Sequence, residues 1–145
     1  MSQLPAILVI LLGGGALAVQ APLNGALGRT LGSALPAAAV SFAVGFIALL
    51  VLSFASVGNP FARLGAVPLW QWAGGFLGAY YVWSVAWGVP MLGVVTAMAA
   101  LVLGQMAGAL LLDAVGAFGV PVQPISLTRV LAVVLVAAGV VLSRL

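Results

Sequence analysis

Between Arg63 and Asp113 lie 49 consecutive residues without a formal charge. As one α-helix that run would extend roughly 73 Å at 1.5 Å per residue, more than twice the ~30 Å hydrocarbon thickness of a bilayer, so it must fold back. The remainder of the chain is equally poor in charge. Arg29, Arg63, Asp113, Arg129 and Arg144 are the only charged side chains among 145 residues, and 66% of the chain is hydrophobic. A soluble domain carries about a quarter charged residues. The bilayer is therefore the solvent, and every backbone N–H and C=O within it must find a partner inside the protein.

Only helices or a closed barrel meet that demand. Barrel strands alternate apolar and polar residues, and VSFAVGFIALLVL and VLVAAGVVL do not alternate. The fold class is therefore an all-α integral membrane protein. Cysteine, histidine, lysine and glutamate are absent. No disulfide, thiolate metal site or imidazole chemistry is available, and one acid gives general acid–base catalysis almost nothing to work with. Neither an enzyme nor a bound cofactor or metal is expected. The net charge of +3 reads as loop charge and helix-end anchoring, with no nucleic-acid footprint.

Five spans are expected within one transmembrane domain, residues 1–145, at about 4–28, 34–57, 67–87, 90–112 and 126–143; four is the alternative count. The first lacks a basic segment ahead of its apolar run, which is also longer than a signal-peptide core, so it reads as a membrane helix. Breaks are expected at Gly28–Leu35, Gly58–Leu64, Gly88–Pro90 and Asp113–Gln123. Arg129 falls in the first turn of the last span, where it can snorkel to the headgroups, and Ser126 is a plausible N-cap. Asp113 is expected to pair with Arg129 or to cap its loop. An odd span count places the two termini on opposite sides of the membrane. An oppositely inserted second copy would then rebuild the inverted repeat common among secondary transporters. The arginines divide two against two between the sides, Arg63 and Arg129 against Arg29 and Arg144. No orientation is favoured, either by chance or because the chain inserts both ways and pairs as an antiparallel homodimer of ten helices.

The polar residues inside the spans are few. Gln20 and Asn24 share one helix face at i, i+4, with Pro22 between them and Gly13-Gly14-Gly15 two turns earlier. Two amides cannot face lipid cheaply, so they either line a polar cavity or bond between helices. Tyr80, Trp83 and Trp87 form a stripe at i, i+3, i+7. Trp87, with Trp70 and Trp72, suits an interfacial belt; Tyr80 and Trp83 lie deeper and could wall a substrate site. Gln105, within Gly104-Gln105-x-x-Gly108, is expected to bond across to another helix or to a substrate.

GGGALAVQAPLNGALG, WQWAGGFLGAYYV, LVLGQMAGALLLDAVGAFG and PISLTRVLAVVLVAAGVVL together resemble the half-size, five-helix branch of the drug/metabolite transporter superfamily, a family long catalogued as of unknown function. The likeness runs from about Gly13 to Leu142. It implies ten-helix assemblies of two inverted halves. A histidine often follows the loop aspartate in that branch; Ala114 stands here, which weakens any proton role for the loop. Four-helix relatives export cations through a buried glutamate, and this chain has none. The expectation is thus a small secondary transporter of the inner membrane, moving a neutral, zwitterionic or weakly charged organic solute by alternating access. Gln20, Asn24, Tyr80, Trp83 and Gln105 are the candidate substrate-binding residues. The alternative is a non-transporting assembly factor or accessory subunit, whose polar residues would all be used in packing.

Overall fold

The computed structural model describes residues 3–57, 59 and 61–145. These form five α-helices and no strand: α1 (Leu4–Leu31), α2 (Ala34–Val57), α3 (Ala73–Leu92), α4 (Val94–Val115) and α5 (Leu127–Leu142). The all-helical expectation holds. Three of them, α1, α2 and α4, are long and apolar enough to cross a membrane. Helix α5 is apolar but has 16 residues. That is about 24 Å of helix, a few ångströms short of the hydrocarbon thickness.

The turns differ from expectation in instructive places. The α1–α2 turn narrows to Gly32 and Ser33, with Arg29 in the last turn of α1. Gly58 and Pro60, part of the second expected break, lie outside the described residues. Beyond them Asn59 Oδ1 accepts from Phe61 N (3.1 Å), and two 3₁₀ turns, Leu64–Ala66 and Leu69–Trp72, precede α3. Residues 67–72, expected inside the third span, are therefore outside its α-helix. The expected break at Gly88-Val89-Pro90 is absent: α3 continues through all three and ends at Leu92. Pro90 deprives the Ala86 carbonyl of its usual donor. Gly25 of α1 faces this spot. A Cβ built there would lie 3.5 Å from Pro90 Cγ and 3.9 Å from Ala86 O. The proline ring is thus accommodated by a neighbouring helix, the circumstance in which membrane helices tolerate proline. The helix ends instead before Gly93, where φ is +79°, a conformation nearly closed to other residues.

The chain divides by packing into two compact units, Met1–Met91 and Leu92–Leu145. In the first, α1 buries Ala21, Asn24, Gly25 and Gly28, spaced i, i+3, i+4, i+7 on one face. Helix α2 meets α1 with Ala37 and Ala38 buried, and α3 buries Val82, Ala86 and Val89. Small residues dominate because lipid tails are as apolar as leucine, so close backbone approach replaces the hydrophobic drive.

In the second unit α4 and α5 form an antiparallel hairpin fastened at both ends. At the loop end Arg129 pairs with Asp113, as expected, and the Gln123 N–H donates to the Asp113 carbonyl (2.9 Å). Ser126 caps α5 by accepting from the Arg129 N–H (3.4 Å), also as expected. At the other end the buried Thr96 hydroxyl donates to the Ser143 carbonyl (3.3 Å). Gly116 closes α4 at φ +64°, with Val122 packed against it.

Candidate functional site

In the first unit Asn24 is buried and Gln20 half-buried on α1, beside residues the sequence did not single out. Asn24 is 7% exposed, in contact with the buried stripe of α1. Among the described residues its side chain forms no hydrogen bond, and no polar atom sealed from solvent lacks a partner. The amide is therefore open, and what it opens on is a crevice between α1 and α3, walled by Gln20, Asn24, Tyr81, Val82 and Val85. The crevice holds about one water molecule. An amide left open in so small a space has hydrogen-bonding capacity for a water or a group of similar size.

Gln20, one turn earlier, donates from Nε2 to Ser41 Oγ of α2 at 3.4 Å. That is the long end of a hydrogen bond, and the Gln20 Oε1 acceptor has no partner among the described residues. Ser41 also lines an apolar groove of about 300 Å³ with Gln20, Phe42, Phe46, Leu49 and Val82. Gln20 and Val82 thus belong to both hollows. Neither hollow contains a charged side chain.

The aromatic residues of α3 divide between the crevice and other surfaces of the helix. Tyr80, Trp83 and Trp87 do form a continuous ladder, with centroids 5.8 Å apart for Tyr80–Trp83 and 6.2 Å for Trp83–Trp87. None of the three lines the crevice: Tyr80 is 65% exposed, Trp87 borders a separate hollow with Gly25 and Gly28 of α1, and the tyrosine at the crevice is Tyr81. The inward side of α3 is marked by small residues instead. Gly78 takes the ring of Phe42, with a built Cβ 3.3 Å from Phe42 Cζ, and Val82, Ala86 and Val89 follow on the same buried ridge. In a helix apolar all round, the small-residue ridge is the signal that would have pointed to Tyr81, its immediate neighbour, and to α2's Ser41 beyond it. Gln105 lies in the second unit, exposed on α4, and forms no hydrogen bond among the described residues. Among these residues no cluster of metal-ligating side chains occurs.

No curated protein and no solved structure matches the chain. A family model does, over residues 5–142; its description is "Putative inner membrane exporter, YdcZ". That stretch contains all five helices but for one residue of α1, and every polar residue of the crevice. The chain belongs to this family, the half-size branch of the drug/metabolite transporter superfamily, and is a multi-pass protein of the inner membrane.

Proposed function

We propose that the chain is one half of a secondary transporter that binds a small organic solute at the Gln20–Asn24–Tyr81 crevice and moves it by alternating access. The observation carrying this reading is the amide of Asn24, on a residue more than nine-tenths buried, left open to the crevice and without a partner among the described residues. A purely structural subunit would close its amides on one another, gaining about 0.5–1.5 kcal/mol for each hydrogen bond made. The family's description as an exporter supports the same reading. The chain contributes binding groups and conformational exchange, and no covalent chemistry.

The functional unit in this reading is an antiparallel homodimer with five crossings in each copy. Three features support it. Gly13, Gly14 and Gly15, Gly74 and Gly75, and Gly104 and Gly108 meet no neighbouring side chain within 4 Å. Gln105 presents an unpaired amide beside the last pair. The arginines give no preference for one orientation. Small-residue faces and a membrane-depth amide are what one helix offers another across a seam.

The test is uptake and efflux of a metabolite panel in proteoliposomes, with wild type beside Asn24→Leu. Leucine keeps the branching of asparagine and removes its hydrogen bonding. Transport of the responding solute should fall at least tenfold while the dimer elutes unchanged. Full-rate transport in the variant would reduce the amide pair to packing.

A further inference from the structure

We infer that the ligand of this crevice is an uncharged amphiphile, with one small hydrogen-bonding group held by Asn24, Gln20 and Tyr81 and an apolar body lying in the groove beside Phe42 and Phe46. The inference rests on the transporter reading for its biology and on the two hollows for its chemistry.

The hollows differ in size and character. The crevice accepts about one water's volume, so it takes a hydroxyl or a group of similar size and nothing bulkier. The groove, about 300 Å³ and walled mostly by aromatic and aliphatic side chains, takes a ring or a short chain. Gln20 and Val82 form their common wall, so a polar head in one and an apolar body in the other belong to a single short molecule. The hydrogen bonding on offer suits a group that both donates and accepts. Asn24 presents a donor and an acceptor, Gln20 an unoccupied acceptor, and Tyr81 a phenol without a partner among the described residues. The 3.4 Å bond from Gln20 to Ser41 is long enough to be exchanged for a bond to the ligand.

Within the first unit nothing compensates a charge at this site. Residues 1–91 contain no acid, so an organic cation would find aromatic faces but no counter-charge. Arg29 and Arg63 are the only cations of that unit and line neither hollow, so an anion would find none either. A charge brought into such a place is not compensated. The groove also opens at the helix surface, with Phe46 60% exposed, so an amphiphile dissolved in the bilayer can reach it sideways.

Three probes of one shape test this: 2-phenylethanol, 2-phenylethylammonium and phenylacetate. Binding to the protein in nanodiscs is measured by equilibrium dialysis against empty nanodiscs, which subtracts partition into lipid. Saturable binding of the alcohol is expected, with Asn24→Leu weakening it at least tenfold and Tyr81→Phe a few-fold. Either ion should compete at least tenfold less well than the alcohol. Because Tyr81→Phe keeps the ring, it reports on the crevice even where Asn24→Leu disturbs folding. Stronger saturable binding of either ion overturns the uncharged class while leaving the site. Absence of saturable binding, or equal binding in both variants, overturns the site assignment. Asn24-dependent flux of a charged solute in proteoliposomes would uphold transport and overturn this inference. Alcohol binding without any solute flux would uphold the inference and sink the transporter reading.

Discussion

Asn24 is buried as a residue, yet its amide stays open to the crevice and has no partner among the described residues. If that amide serves a ligand and not packing, the consequence can be measured. Asn24→Leu should then leave the unfolding free energy in detergent within about 1 kcal/mol while transport is lost, because no hydrogen bond within the fold is removed. A variant that is both inactive and less stable would place Asn24 in packing. The two neighbouring tyrosines give a sharper contrast. Tyr81→Phe removes a hydroxyl from the crevice and should slow transport by roughly tenfold, the worth of about one hydrogen bond. Tyr80→Phe removes a hydroxyl from the exposed ladder and should leave transport within about twofold. Equal effects in flux assays would mean that the outer ladder, not the crevice, handles the solute.

At the scale of elements, the sequence makes helix number and most helix ends legible, because breaker residues interrupt long apolar runs. Ser126 was legible as a cap from its position ahead of the last run, and the Asp113–Arg129 pair from there being one acid in the chain. Pro90 was not. Alone it predicts a break, and only the presence of Gly25 on another helix explains why the helix survives it. The inward face of α3 was illegible for a related reason. Period-3.6 patterning needs a polar side to contrast with, and α3 has almost none. The aromatic stripe is the conspicuous pattern, whereas the packed ridge is the quiet one of Gly78, Val82 and Ala86. If Gly25 holds the Pro90 turn in place, substitutions there should be graded by size. Gly25→Ala places its methyl at ordinary contact distance, 3.5 Å from Pro90 Cγ, and should change stability by less than about 1 kcal/mol. Gly25→Leu pushes further atoms into Pro90 and the Ala86 carbonyl and should cost about 1–3 kcal/mol. Thermal unfolding of the two variants in detergent checks the order. An equally stable leucine variant would show that α1 and α3 do not depend on this contact.

At the scale of the whole molecule the question is how one half becomes a complete transporter. The proposal of an inverted pair turns on orientation, and orientation in the membrane follows arginine and lysine rather than net charge. The ion pair of Asp113 with Arg129 therefore leaves the tally at two against two, since an acid counts for little in that bias. A chain so balanced is sensitive to small additions. Two lysines placed beside Arg63 should fix the chain in one orientation and deprive each copy of its inverted partner, so transport should fall to background while the protein still enters the membrane. Two lysines at the C-terminus should fix it the other way, with the same loss. Co-expression of the two biased chains should then restore transport, because each supplies the orientation the other lacks. The open glycine faces of α3 and α4, at Gly74, Gly75, Gly104 and Gly108, are where the copies would meet, and cysteines introduced beside them should cross-link only in the mixed pair. Labelling of a C-terminal tag from either side of the membrane reports the wild-type distribution directly. A tag found on one side alone would exclude the dual-topology homodimer and require either a parallel pair or a separate, oppositely inserted partner chain.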